Sequence, residues 1–555
     1  MMESLAKPRQ FSWLSWFARG LLLLVLIIIS GRLIELQVIK GGYYRALAEE
    51  NRIRRIPITA PRGKILARGG EVLAGNIEVK KHVEFLPNQG YVKTTPNDNT
   101  PDYQVISEWQ RSYPFGDKVA HITGYLGIVN TEEVAKTDPN CIDKGPRKSD
   151  ALIGRSGLEN YYDCLLRGID GEELVEVDTT GRIIRTLGRK QPIAGSDIRT
   201  TIDARLQEKV VEAVEARKEI DSTNPSDRPF PEKGAVVILT PDGQVLSFYS
   251  TPSYDPNIFI NKDADKINLV LNDVSLPLYN RVIQGAYHPG SVFKIVTAAA
   301  ALEEGKIDQD FIYNDPGVIE VNSFTYANWY FTQYGSTEGE IGLQKAIARS
   351  TDTFFYKLGE FVGPDKLAQW SKKFGYGTPT GIELPSETAG LVPDPAWKLE
   401  TKDEKWFLGN TYHMAIGQGD VETTPLQVAR SFAVIANSGK LCNPYLNQQG
   451  TPSCTGLDIS PNTIEQITKG MIDACAPGGT AFPFFDFKMP IACKTGTAET
   501  FKEGITHAWF SAFAPVESPE IIITVFAEEG GEGSYVASPV AKDILDYYFS
   551  SQFQP

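Results

Sequence analysis

At 555 residues the chain is too long for one ordinary domain, so two or three are expected. A composition of 42% hydrophobic and 22% charged residues excludes global disorder. The net charge of −14 argues against nucleic acid as a partner. Six cysteines (Cys141, Cys164, Cys442, Cys454, Cys475, Cys493) form no C-x-x-C pair and stand beside only five histidines, so zinc ligation is not expected. Cys442 and Cys454 flank a loop rich in Asn, Pro and Gly and would pair if that loop lay outside the cell. Pairing does not follow from spacing, and we read them as two solitary thiols.

In chain order, residues 1–12 read as a cytoplasmic tail and 13–38 as a transmembrane anchor. Leu21 to Ile29 is almost wholly Leu, Ile and Val, between Arg19 and Arg32. The uncharged run alone is short of the roughly 20 residues needed to span. Trp13 to Val38 reaches that length if both arginines snorkel, with Trp13, Trp16 and Phe17 as an aromatic belt. The nearest A-x-A, Ala46-Leu47-Ala48, lies well downstream, so an uncleaved anchor is expected rather than a signal peptide. Lys7, Arg9 and Arg19 favour a cytoplasmic tail, although Arg32 to Lys64 is basic too.

Residues 39–199 read as an elongated, β-rich pedestal. Residues 39 to about 56 look like an amphipathic helix ending in Arg52, Arg54 and Arg55, a lipid-facing cluster or a solvated face. Pro61 to Ala74 reads as a hairpin about Gly69-Gly70. Asn88 to Pro101 is polar and reads as loop. Glu172–Val177 and Arg182–Thr186 suggest a second hairpin about Thr179–Gly181.

Residues 200–555 read as a second domain. Leu206, Val210, Val211 and Val214 space a helix over 204–219. Gly234–Thr240 and Gln244–Ser250 form an apolar hairpin about Pro241-Asp242-Gly243. The stretch 288–480 is mostly helix and loop. Pro490–Thr497, Ala508–Ala514 and Glu520–Ala527 are apolar strands, and Val540–Phe549 is a closing helix. Strands at both ends with helices between predict one mainly antiparallel sheet flanked by helices, an α+β or α/β fold.

Three motifs carry the chemistry. His288-Pro289-Gly290-Ser291-Val292-Phe293-Lys294 is a turn opening into a helix, with Ser291 and Lys294 one turn apart on one face. A hydroxyl and an amine so placed suit a nucleophile and its base. S-x-x-K alone is weak, since Ser4 and Lys7 match it as well. Ser350-Thr351-Asp352 opens a second apolar helix, and Lys494-Thr495-Gly496-Thr497 lies on an apolar strand. Singly, Ser291 and Ser350 could be plain helix caps and Asp352 a first-turn acid. In this order and on these elements, the set reads as a site.

The chain resembles the class B penicillin-binding proteins, and among them the elongation type. Pro61–Ala74, Arg111-Ser-Tyr-Pro-Phe-Gly116, Ala120–Tyr125 and Gly154-Arg-Ser-Gly-Leu-Glu159 are similar to the family's dimerisation domain. Asn280–Lys294, Gly381–Val392, Ile416-Gly-Gln-Gly419 and Cys493–Glu499 are similar to its transpeptidase domain. Ala67 and Gly69 depart from the family's usual acidic residue and Asn. The stretch between Ala74 and Arg111 is shorter than its usual head. Cys493 replaces the glycine that commonly precedes the motif lysine; strand alternation should turn its side chain away from the site.

The resemblance implies a serine-type acyl transferase that cross-links peptidoglycan stem peptides ending in D-Ala-D-Ala and binds β-lactams covalently. It implies Ser291 as nucleophile, Lys294 as base, Ser350 as proton relay and Asp352 as the group orienting Lys294 or the substrate. Lys494 would lower the Lys294 pKa by like charge, together with burial. Thr495, Gly496 and Thr497 would bind the substrate carboxylate, and backbone N–H groups of Ser291 and Thr497 would form an oxyanion hole. No metal or cofactor is implied. The implied partners are a SEDS-type glycosyltransferase and other elongation-complex membrane proteins, at a bacterial plasma membrane. His288, Glu387, Glu499 and His507 are read as structural. A division-type transpeptidase, a β-lactamase and a β-lactam sensor are the alternatives; no class A Glu-x-x-x-Asn loop lies between the second and third motifs.

Overall fold

The computed structural model describes residues 13–86, 90–97, 100, 105–135, 139–178, 180–220 and 228–552. The expected cytoplasmic tail lies outside them, as do Asn88, Pro101 and Thr179. The chain divides into two compact units that do not follow chain order. One takes the residues up to Pro61 with Glu78–Gln110 and Gly168–Ala194; the other takes Arg62–Ile77, Arg111–Arg167 and everything from Gly195.

In the first unit, a helix runs over Trp13–Ile34 and continues as a π-turn to Ile39. These 27 residues are long and apolar enough to cross a membrane. The expected helix over 39–56 is shorter: it spans Gly41–Arg52, and Ile53–Ile58 is a strand paired antiparallel with Gly171–Val177. Arg54 and Arg55 are therefore strand residues, and Arg55, opposite Leu174, pairs diagonally with Glu172. Ile53, Ile56 and Ile58 overrode the helical pattern, as β-branched residues do where a partner strand is available. The expected hairpin of 172–186 forms, with Ile183–Lys190 as its second strand. The expected loop 88–101 is in part a strand. Gly90–Thr94 pairs with His82–Leu86, because Tyr91, Val92 and Thr94 fit a pleated surface that their polar neighbours hide in composition.

The second unit is built on a five-stranded antiparallel sheet. Its strands are β1 (Gly234–Leu239), β2 (Val245–Thr251), β3 (Ala492–Glu499), β4 (Thr506–Ala514) and β5 (Ile521–Ala527), in the spatial order β2-β1-β5-β4-β3. Both ends of the stretch 200–555 supply it, as the sequence predicts. Helices cover both faces, here α1 (Ala204–Lys218), α2 (Lys294–Glu303), α3 (Asp352–Val362), α4 (Pro425–Ala436), α5 (Pro461–Ala474) and α6 (Ala537–Gln552). Alternation along β1 divides the core. Ala235, Val237 and Leu239 pack with α2, α3 and α4, whereas Val236 and Ile238 pack with α1 and α6. On β3, Ala492 and Ala498 belong to the first core and Cys493 to the second.

Within this unit a buried charge network joins the family-like pedestal segments. Glu159 accepts from Arg62 Nε (2.5 Å), Arg111 Nε (2.6 Å) and Tyr113 OH (3.2 Å). Asp163 takes Arg62 Nη2 at 2.8 Å and also pairs with Arg147.

All six cysteines pair, which corrects the reading of Cys442 and Cys454 as solitary thiols. Those two are register partners on a short antiparallel pair, 440–442 with 454–456, a pairing that spacing does not reveal. Cys141 joins Cys164, and Cys475 joins Cys493.

Candidate active site

The Ser291 turn is pinned before its helix starts. Tyr287 N donates to Thr423 O (2.9 Å), Gly290 N to Gly417 O (2.8 Å), and Trp509 Nε1 of β4 to His288 O (3.0 Å). Gly290 has φ +57°, and a Cβ there would stand 2.8 Å from Thr497 O. Only glycine meets both conditions, so the turn lies flush against β3. A 3₁₀ turn, Gly290–Phe293, leads into α2; Ser291 sits half-buried in that turn and Lys294 opens the α-helix. Gly290→Ala is expected to cost about 1–2 kcal/mol in left-handed strain. By displacing Ser291 it should slow acylation about 10²-fold. Thermal melting and stopped-flow acylation by a fluorescent penicillin check both.

Ser350 ends the preceding helix, Leu343–Arg349, at φ +57°, a left-handed position that is rare for serine. The chain reverses there and starts α3 at Asp352. The buried Ser350 hydroxyl is left between two lysine amines, Lys494 Nζ at 2.8 Å and Lys294 Nζ at 3.2 Å. Lys294 Nζ also donates to Asp352 Oδ1 (2.6 Å) and Ser350 O (2.8 Å), and Lys494 Nζ to Thr495 O (3.0 Å). Motifs separated by 144 residues thus meet at one oxygen.

Both lysines are wholly buried. Burial lowers the Lys294 pKa below the usual lysine range, against the raising effect of the Asp352 charge. Lys494 is held well below that range, first by burial and then by the charge of Lys294. The like-charge repulsion expected between Lys294 and Lys494 is mutual, and at Lys294 the directly bonded Asp352 carboxylate opposes it. Two lysines facing one carboxylate can hold a neutral amine nearer neutral pH than an isolated lysine can.

Asp352 is fixed by groups that no motif marks. Its Oδ2 accepts from Trp329 N (3.1 Å), and its backbone N donates to Asn328 Oδ1 (3.1 Å). Asn328 Nδ2 donates in turn to the buried Asp315, which also takes Thr353 Oγ1 at 2.6 Å. Asp352→Asn keeps the backbone bond to Asn328 and one acceptor oxygen for Trp329 N, and gives up the acceptor at Lys294 Nζ together with the charge that raises the Lys294 pKa. The ascending limb of acylation against pH is therefore expected to move to lower pH in the variant, as read from acylation rates across a pH series.

Along β3, side chains alternate. Lys494 points inward to Ser350, while Thr495 bonds Thr480 Oγ1 (2.8 Å) and Thr497 is exposed, with Gly496 between them. Cys493 lies on the face away from Lys494, as alternation predicts. His288 Nδ1 lies 2.8 Å from Val421 O with its ring against Phe501, outside the lysine–serine cluster. Glu387 caps Thr380 N and Gly381 N, and His507 accepts from Glu529 N. Asp315, Asn328, Trp329 and Thr480 were missed in sequence. Asn before a short helix and Gly-Gly before Thr480 signal only a cap and a turn.

The second unit has the fold and cluster of a serine acyl transferase, and comparison with known proteins agrees. Residues 234–546 match the penicillin binding protein transpeptidase domain, and residues 94–200 the penicillin-binding protein dimerisation domain. The chain belongs to the penicillin-binding protein transpeptidase family. The peptidoglycan D,D-transpeptidase MrdA of Haemophilus influenzae is 32% identical, over 96% of this chain and 91% of that protein. The penicillin-binding protein PBP2 of Helicobacter pylori, solved in complex with MreC, is 25% identical at TM-score 0.75, over 90% of this chain and 99% of that one. A chain of a peptidoglycan synthase complex, solved in work on coordinated polymerization and crosslinking, is 29% identical at TM-score 0.74, over 98% and 99% of the two chains.

Proposed function

We propose that this protein is a peptidoglycan D,D-transpeptidase of the elongation type, working through an acyl-enzyme at Ser291. The observation that carries the reading is Ser350 Oγ held between two buried lysines beside the Ser291 turn. Full-length similarity to D,D-transpeptidases supports it. In the first half-reaction Ser291 Oγ attacks the carbonyl carbon of the penultimate D-Ala. The Oγ–C bond forms, and the hydroxyl proton passes to neutral Lys294. The C–N bond then breaks, and Ser350 relays a proton to the departing amine of the terminal D-Ala. In the second half, an acceptor amine on a neighbouring strand attacks the ester, forms the new amide and returns the proton to Ser291. Thr495 and Thr497 hydroxyls, with Lys494, suit the terminal carboxylate. Gly496 lies between those hydroxyls, and the Ser291 and Thr497 N–H groups are positioned in this reading as the oxyanion hole.

The same reading takes 1–12 as cytoplasmic tail, 13–38 as membrane anchor, 39–199 as dimerisation domain and 200–555 as transpeptidase domain. A catalytic domain outside the cytoplasm, with the N-terminus inside, is supported by the three disulfides, which persist in oxidising compartments. A SEDS-type glycosyltransferase is the expected partner, supported by the similarity to a chain of a peptidoglycan synthase complex.

Incubation with a fluorescent penicillin followed by peptide mapping tests the chemistry. A stable ester on Ser291 is expected. Rapid drug turnover would favour a β-lactamase, and absence of an adduct would overturn the reading. Depletion in cells should change cell width; filamentation would assign the protein to division.

A further inference from the structure

We infer that the Cys475–Cys493 disulfide is a positioning device for the active site, setting the spacing between the Ser350 segment and the Lys494 strand. The inference rests on the roles proposed above for Ser350 and Lys494.

Among the described residues, β3 is the edge of its sheet and bonds through its ladder to β4. The free edge of a strand is held by nothing in the ladder, so its position must be fixed from other directions. A strand that must place Lys494 Nζ 2.8 Å from Ser350 Oγ needs such a constraint. Cys493 precedes Lys494, is wholly buried and points to the opposite face of the sheet, where it bonds Cys475 at the C-terminal end of α5.

α5 is packed against the helix that carries Ser350. Gly470 of α5 sits so close to Leu343–Arg349 that a Cβ there would meet Ile347 Cβ at 2.7 Å and Gln344 O at 3.0 Å. Gln344 Nε2 donates to Asp473 Oδ2 (2.7 Å), and Arg349 Nη1 to Gly478 O (3.0 Å). A continuous path therefore runs from the Ser350 helix, through its packed and hydrogen-bonded contact with α5, across one covalent bond, to the residue before Lys494. Past the bridge, Thr480 reaches back to Thr495 at 2.8 Å, and Ser534 Oγ holds Thr480 O. The loop 475–480 is thus tied to the Ser350 helix at Gly478 and to β3 at Cys493 and Thr495.

The glycine that commonly precedes the motif lysine cannot make this link. Loss of the bridge would let β3 move against the Ser350 segment without unfolding the sheet, since the β4 ladder and the Ser291 turn remain.

The test compares full-length wild type with Cys475→Ala/Cys493→Ala and with Cys475→Val/Cys493→Ala, the second to keep the buried volume. Cys442→Ser/Cys454→Ser, which removes a bridge elsewhere in the same unit, is the control. Stopped-flow acylation by a fluorescent penicillin is followed across a pH series, with melting curves on each protein. Both bridge variants are expected to acylate about 10–100-fold more slowly. Their ascending pH limb should move to higher pH, because water admitted around Lys494 and Lys294 relieves desolvation. The control should acylate at the wild-type rate. Wild-type rate and pH profile in a folded bridge variant would overturn the positioning role, as would an equal loss in the control. If both bridge variants fail to fold, the bridge is a general staple and the inference falls. Failure of the wild type to acylate at Ser291 would instead overturn the proposed function.

Discussion

Lys294→Met is expected to lower the acylation rate at Ser291 by about 10²–10⁴-fold, the usual contribution of a positioned general base. Methionine matches the stem of lysine and fits a site that is wholly buried, so the fold should survive. The side chain lost is the one that donates to Ser350 Oγ, Ser350 O and Asp352 Oδ1 at once. Asp352 keeps its bond from Trp329 N and is partly open to solvent, which limits the cost of leaving it unpaired. The wild-type rate should rise with pH through a pKa below the usual lysine range, because burial disfavours the ammonium and only the neutral amine accepts a proton. The variant should lose that limb as well as the rate. Stopped-flow acylation across a pH series reads both. A Met variant that retains the wild-type rate and limb would move the base elsewhere, Lys494 being the nearest amine.

Glu159→Ala is expected to give the largest stability loss, about 3–5 kcal/mol, the cost of breaking a buried ion pair by removing one partner. Glu159 is wholly buried and accepts from Arg62, Arg111 and the Tyr113 hydroxyl. Without it, the buried Arg111 and the half-buried Arg62 lose the carboxylate they share, with Asp163 left to balance Arg62 and Arg147. Tyr113 loses its acceptor too. A lowered melting temperature and faster proteolysis of the 111–167 segment are the expected readouts. Glu159→Gln, which keeps volume and one acceptor oxygen, should recover only part of the loss, since it restores a hydrogen bond without charge. A neutral Glu159→Ala would mean the network is hydrated in solution.

Particular residues show where residue order was sufficient. The helix over 204–218 was legible because Leu206, Val210 and Val214 recur at helical spacing on a face that packs against the sheet. The hairpin of β1 and β2 was legible from Pro241-Asp242-Gly243. The segment 39–56 misled because Tyr43, Tyr44 and Leu47 set a helical period that Ile53, Ile56 and Ile58 then break; a partner strand more than 100 residues away decides which wins. The strand at Gly90–Thr94 hid for a different reason: its partner, His82–Leu86, is adjacent in the chain, and its polar neighbours mask the pattern.

Residue order alone determined the two ends of the sheet, the apolar N-terminal helix and the three motifs, because each is a local pattern of period, turn chemistry or spacing. Ser291 and Lys294 were legible together because one helical turn joins them. Only the tertiary structure brought Lys494 and Asp352 to the same Ser350–Lys294 pair, 144 and 58 residues apart in their bonds. It alone decided that Lys294 and Lys494 meet at one hydroxyl, close enough to repel, that Asn328 and Asp315 hold Asp352, and that Cys493 is tied to Cys475. These outcomes depend on distances across separate elements, and packing sets those distances where spacing along the chain does not.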